Sequence, residues 1–266
     1  MSLFLFIFLY VYIHKFIYVG NYIDEAQHQV RYRALIAADP VLSRRMSVPR
    51  VFESLSTSEV LVTEFVSGRA IDHALAYPQD VRNAIGRAVL IATVKELFDW
   101  RFVQSDPNFA NFLYDHPSRM IHCIDFGASR EYSSEFVDQY LELVWAAANK
   151  DHEKILAVSK DIGFLSGDES REMVEAHLQT GLLMGEPFQS NEPYDFAHCY
   201  ITKRASKHGE VFMTHRLKAP PAETYSLHRK LAGAFLLCIR LKATIRCRDI
   251  LEDVYKKHTS KSAAGI

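Results

Sequence analysis

The chain predicts an α+β fold that is mostly helical. Three observations carry this. Only 11 glycines occur among 266 residues, against a usual share of ~7%. Strand-like runs are few and short. Several long stretches repeat apolar residues at helical spacing. The composition is that of a globular protein, with 48% apolar and 24% charged residues and a formal charge of −1. That excludes a disordered chain and leaves no basic footprint for nucleic acid. Four cysteines, at 123, 199, 238 and 247, contain no C-x-x-C pair. They read as reduced thiols rather than a zinc site or a disulfide scaffold. The histidines are scattered without ligand spacing.

Residues 1–20 are a different material. Sixteen of them are apolar, and Leu3 to Ile13 is unbroken. The run is marginal for a membrane span, and it has neither the basic start and small-residue cleavage site of a secretory signal nor the arginines of a mitochondrial presequence. A short membrane anchor, a buried segment and a non-native start all fit it.

The domain begins at Asn21. Asp24 to Ala38 predicts a polar helix that ends before Asp39-Pro40. Val48 to Glu53 and Val60 to Val66 predict two strands of a hairpin, closed by Ser67-Gly68. Pro78 to Trp100 predicts a core helix, because Val81, Ile85, Val89 and Ala92 form one apolar row and Leu90, Val94 and Leu97 another. A non-helical stretch, Gln104 to Asn111, leads into two short strands, Phe112 to Tyr114 and Met120 to Ile124. Asp115-His116-Pro117-Ser118 between them has turn chemistry. From Ser134 the pattern is helical. Phe136, Tyr140, Leu143 and Ala147 share a face, a short helix around Ile155 and Val158 stops at Gly163, and Met173, Ala176, Thr180 and Leu183 mark another. Pro220-Pro221 opens the last long helix, striped by Leu227, Leu231, Phe235, Cys238 and Leu241. Residues 256–266 predict a polar, frayed tail. The expected organisation is therefore an apolar segment 1–20, one domain 21–255 and the tail.

The chemistry sits between Gln104 and Gly127. Asp106 is followed five residues later by Asn111, then by the two short strands, then by Asp125-Phe126-Gly127. Phosphoryl transfer needs a carboxylate to orient the attacking hydroxyl and oxygen ligands to hold Mg²⁺ against the phosphates. Asp106 fits the first role, and Asn111 and Asp125 the second. The strand pair folds the chain back so that residues 111 and 125 can meet. The Asp-to-Asn offset is that of the H-R-D-x-x-x-x-N loop. Upstream, VLVTEFV followed by Ser67-Gly68 resembles the strand and hinge where a kinase adenine pairs with backbone groups.

With these residues in hand, the chain resembles the UbiB-type atypical kinases, the aarF-domain family that supports coenzyme Q biosynthesis. The match is carried by VLVTEFVSGRAID (60–72), KELFDWRFVQSDPNFANFLYD (95–115) with IDFGASREY (124–132), GEPFQSNEPYDF (185–196) and PPAETYSLHRKLAGAFLLC (220–238). It runs from about Asn21 to Tyr255. The resemblance implies a protein-kinase-like C-terminal lobe with a remnant N-lobe hairpin and hinge. It assigns Asp106 as the catalytic aspartate, Asn111 and Asp125 as metal ligands, and Glu64, Phe65 and Val66 as the adenine hinge, with ATP and Mg²⁺ as cofactors. It further implies the matrix side of the mitochondrial inner membrane, with coenzyme Q biosynthetic proteins and membrane lipid as partners. Only eight residues separate Asp125 from the helix near Ser134, and no Ala-Pro-Glu follows. ATPase or small-molecule chemistry is therefore expected, with poor activity on peptides. The family's alanine-rich phosphate loop, K-x-G-Q segment, strand lysine and paired glutamate fall outside the match. Two expectations result: an ATP-dependent enzyme represented by an incomplete chain, or an inactive lobe that binds coenzyme Q enzymes or lipid. An aminoglycoside- or choline-kinase type fits less well, because residues 220–238 have no role in that class. An uncovered apolar face on such a lobe predicts poor solubility or a homodimer.

Overall fold

The computed structural model describes residues 21–106, 108–217 and 222–264. The apolar segment 1–20 and Pro220-Pro221 lie outside these residues. Helix α1 spans Tyr22–Ala38, started by the Asn21 side chain, which accepts from the Ile23 amide. Helix α2 spans Gln79–Lys95 and widens into a π turn at Glu96–Trp100, closed by Arg101 in the left-handed region. Both expected apolar rows of α2 are buried, with Leu90, Val94 and Leu97 fully enclosed. Each such side chain contributes about 1.5–3 kcal/mol of burial, which makes α2 the axis of the fold.

The later helices are α3 (Ser134–Ala148), α4 (His152–Ile162), α5 (Arg171–Gly185), the short α6 (Ile201–Ser206) and α7 (Gly209–His215), α8 (Ala222–Arg240) and α9 (Arg248–Ala264). Of these α8 and α9 pack directly on α2 and α3 on its π turn, while α4 and α5 pack on α3, and α6 and α7 on α5. Ser133, Asp151 and Ser170 cap α3, α4 and α5 through their side chains, and Gly163 ends α4 at φ 87°. One core of buried side chains runs through the helices from Tyr32 on α1 to Val254 on α9.

The strands are short. β1 (Met46–Ser47), β5 (Met120–Cys123), β4 (Phe112–Asp115) and β2 (Arg69–Ala70) form a four-stranded sheet in that order. β1 is parallel to β5, while β4 pairs antiparallel with β5 and β2, with Phe112 opposite Cys123. β3 (Phe102–Gln104) pairs antiparallel with β6 (Ser129–Glu131), and β7 (Tyr194–Asp195) with β8 (Thr244–Ile245).

Two sequence expectations are corrected. Val48–Glu53 and Val60–Val66 are not regular strands. They meet at a single bridge, Val51 to Thr63, flanked by Phe52 N to Val62 O at 2.9 Å and Glu64 N to Arg50 O at 2.7 Å. A tight helical turn, Glu53–Leu55, breaks the first arm, and Leu55 and Val60 are exposed. A two-stranded ribbon with one open face is marginal in water, so β-branched composition alone does not extend the ladder. The described part of the tail, 256–264, is helical rather than frayed. It continues α9 to Ala264, and Lys257 bonds Asp99 at 2.9 Å while His258 faces Asp138 at 3.3 Å. Its polar residues complete carboxylates on the π turn and α3, so α9, not α8, is the last long helix.

Candidate functional site

β3 delivers Gln104 to the base of the site, and Asp106 follows two residues later. The chain then makes a tight turn, Phe109–Asn111, capped by the Asn108 side chain. That turn swings Asn111 back under Asp106, and the Asn111 Nδ2 donates to Asp106 Oδ2 at 3.2 Å. Asn111 is buried, so its amide is held and its carbonyl oxygen keeps a fixed direction. The β4–β5 ladder then brings Asp125 alongside, because Ile124 N donates to Asn111 O at 2.9 Å. Three residues spread over twenty positions thus gather at one end of the β4–β5 ladder, in the middle of the sheet. Asp125 has φ 68°, a left-handed conformation disfavoured for a residue with a Cβ. Its Oδ1 accepts from Gly127 N at 3.3 Å.

Helix α1 closes the site from the other side. Glu25, His28 and Tyr32 recur at i, i+3 and i+7 and face the Asp-Phe-Gly turn. Glu25 Oε1 accepts from Phe126 N at 3.1 Å, and His28 Nδ1 lies 3.3 Å from Phe126 O. A Cβ on Gly127 would stand 3.1 Å from Glu25 Oε2, so a side chain there would have to displace the Glu25 carboxylate by a few tenths of an ångström. Burial raises the Glu25 carboxyl above its ordinary value against the pull of the Phe126 amide, and the charge of Asp125 raises it further. Phe126 is buried, 4.9 Å from the Tyr32 ring.

Beneath the loop lies a buried polar network. Glu96, at the start of the π turn, pairs with Lys230 of α8 at 2.9 Å, and both are almost fully enclosed. Tyr32 OH donates to Glu96 Oε1 at 2.6 Å and Gln104 N to Glu96 Oε2 at 2.9 Å. Arg229 donates to the Ser105 carbonyl at 2.5 Å, and Ser105 Oγ to the Ala128 carbonyl at 2.6 Å.

The hinge residues stand apart from this cluster. Glu64 and Phe65 are exposed and Val66 is half-buried. Their tie to the site is indirect, through β2 on β4. Gly68, at φ 140°, permits it, since a Cβ there would meet the Tyr114 backbone at 3.1 Å. Sequence reasoning missed Glu25, Glu96, Gln104, Arg229 and Lys230. Glu25 reads as an ordinary first-turn acid on a helix, and Glu96 and Lys230 are too far apart in the chain for any spacing rule to join them. Among the described residues no group of three or more His, Cys, Asp or Glu side chains is placed to hold a metal. No described helix is long and apolar enough to cross a membrane.

A helical lobe that carries an aspartate–asparagine loop, a short strand pair and an Asp-Phe-Gly turn is the C-terminal lobe of a kinase-like protein. Comparison with known proteins agrees: residues 17–159 match the ABC1 atypical kinase-like domain, and the chain belongs to that family. It is 43% identical over 238 residues to the rat atypical kinase COQ8B, mitochondrial, covering 90% of this chain and 44% of that protein. It is 41% identical to the Caenorhabditis elegans atypical kinase coq-8, mitochondrial (90% and 32%), and 32% identical to the Saccharomyces cerevisiae atypical kinase COQ8, mitochondrial (88% and 46%). The chain thus spans less than half the length of these relatives. Among solved structures, Mycobacterium tuberculosis Rv3197 in complex with erythromycin shares the fold, with a TM-score of 0.71 at 20% identity over 88% of this chain and 57% of that one.

Proposed function

We propose that this chain carries the catalytic lobe of a Mg-ATP-dependent UbiB-type atypical kinase or ATPase that supports ubiquinone biosynthesis in mitochondria. The observation that carries the reading is the convergence of Asp106, Asn111 and Asp125 at one end of the β4–β5 ladder, with Asn111 bonded to Asp106. The Asp125 carboxylate and the Asn111 amide carbonyl are hard oxygen donors. They suit Mg²⁺, which takes one or two carboxylates and completes its shell with phosphate oxygens and water. Bound there, the ion would neutralise phosphate charge during transfer.

In this reading Asp106 orients the attacking hydroxyl or water and accepts its proton. Asn111 and Asp125 hold the metal. At the hinge, the Glu64 amide is already committed to the Arg50 carbonyl, so adenine would pair with the Val66 amide and with the Glu64 carbonyl, in place of its long 3.5 Å contact from the Thr63 hydroxyl, beside Phe65. After Asp-Phe-Gly the chain enters β6 and then the Ser133 cap of α3, which leaves no length for a peptide-docking platform. That supports ATPase or small-molecule chemistry. The mitochondrial setting, the coenzyme Q proteins and the membrane lipid come to this chain from its resemblance to the COQ8 relatives.

The test is ATP turnover by the longest natural form that contains this chain. Asp125→Asn is expected to lower turnover by ~10²-fold or more while the urea midpoint holds. Unchanged turnover in that variant would end the enzymatic reading, and efficient phosphorylation of generic peptides would overturn the ATPase preference.

A further inference from the structure

We propose that Glu96 and Lys230 are positioning residues, a buried ion pair that holds the Asp106 loop and the Asp-Phe-Gly turn at their working separation. The proposal rests on the reading of Asp106, Asn111 and Asp125 as a nucleotide–metal site, and it deepens that reading.

Both charges are withdrawn from water, with side chains 1% and 4% exposed. Such a pair gives little net stability over apolar residues of similar volume, because desolvation offsets the attraction. What it touches points to another use. Glu96 grips β3 through the Gln104 amide, and Lys230 reaches the Gln104 side-chain oxygen at 3.4 Å. The other end of that side chain, Gln104 Nε2, donates to the Asp125 carbonyl at 3.3 Å. One glutamine therefore bridges the ion pair to the residue whose backbone is left-handed. Next along α8, Arg229 holds the Ser105 carbonyl, one residue before Asp106. The network ends on backbone groups at 104, 105 and 125, on both sides of the candidate carboxylates.

Two further features fit. The π turn begins at Glu96, and a widened turn is a device that recurs at functional sites. The segment after Asp125 is too short to brace the loop as a long activation segment does, so α8 supplies the clamp. Lys230 also lines a small cavity with Asn111 and Phe126, which places the fixed positive charge directly under the site.

The test uses the full chain with the double variant Glu96→Leu/Lys230→Met, which removes both charges at similar volume. Native-state hydrogen exchange is read at 104–111 and 124–129, and Mn²⁺ affinity in the presence of ATP by its paramagnetic resonance signal. The urea midpoint should fall, because Tyr32 OH and the Gln104 amide lose their acceptor, while exchange in both segments rises at least tenfold more than in the rest of the helical core and Mn²⁺ affinity falls at least tenfold. Gln104→Ala is the gentler variant. It keeps the pair, cuts the link to Asp125, and should lose protection at 124–129 alone. Unchanged protection in both segments of the folded double variant overturns the proposal, as does retained Mn²⁺ affinity. If the parent chain takes up no Mn²⁺ with ATP while the variants still lose protection, the nucleotide–metal reading fails and the clamp on the two loops stands.

Discussion

The helical body and the 50–66 hairpin are built from similarly apolar sequence and end in opposite states. In the body, Leu90, Val94 and Leu97 of α2 are completely enclosed, whereas in the hairpin Leu55, Val60 and Phe65 are 61%, 52% and 91% exposed. The reason is geometric. A central helix can be covered from several sides, and here α8, α9 and β8 share that work. A two-stranded ribbon covers one face at most, and this one buries Val51 and is tied to α1 through Tyr22 N to Ser58 O at 3.2 Å. The two halves of the proposed site inherit this difference. Asp106, Asn111 and Asp125 rest on the body, and the hinge rests on the ribbon.

Changes that pry the body apart should cost most. Where α5 crosses α3, a Cβ on Gly185 would lie 2.3 Å from the Ala147 carbonyl carbon and 2.4 Å from the Ala148 nitrogen. Gly185→Ala must push two helices apart, and a loss of about 3 kcal/mol is expected in urea unfolding. A loss under about 1 kcal/mol would show that the crossing is softer than the geometry indicates.

The body should also lose stability in mild acid. His177 is buried, bonded to Ser159 at 2.8 Å, and burial lowers its pKa to about 4, helped by the charge of Arg216. His228 beside Tyr140 is lowered to about 4 by the same cause. Each is neutral in the fold and takes a proton once unfolded. Their contribution is therefore present above the ordinary value near 6.5 and is lost as pH falls from there toward 4. Between pH 6.5 and 5 the decline should be about 1.6 kcal/mol per histidine. Urea midpoints across that range check this, and a flat profile would mean that the pair charges inside the fold.

The ribbon should respond least. Phe65→Ser and Val60→Thr remove apolar surface that is already in water, so each should shift stability by less than about 0.5 kcal/mol. A larger loss would mean that the ribbon is covered in solution, and sedimentation analysis would then reveal a self-associated chain.

Much of the site was legible in the sequence for a local reason. Asp106 and Asn111 are five residues apart around a turn, and the strand pair that follows must bring its own ends together, so Asp125 arrives beside Asn111. The two rows of α2 and the stop at Gly163 were legible on the same terms, as periodicity and a glycine in the left-handed region. The tail was misread because its polarity suggested fraying, whereas residues 256–260, largely exposed, continue α9, and Lys257 and His258 face carboxylates on other elements. The Val60–Val66 arm was misread because β-branched residues favour a ladder only when neighbouring chain is there to receive it.

By itself, then, the sequence determined the helical class, the central helix, the short strand pair and the three polar residues at its end, all products of spacing within about twenty residues. Only the tertiary structure decided which carboxylate of α1 meets the Asp-Phe-Gly turn, that Lys230 neutralises Glu96 beneath it, and that the hinge stands on a nearly bare ribbon. Those outcomes depend on which distant surfaces exclude water together. Burial is a property of the packed assembly, and a buried charge finds its partner across the fold.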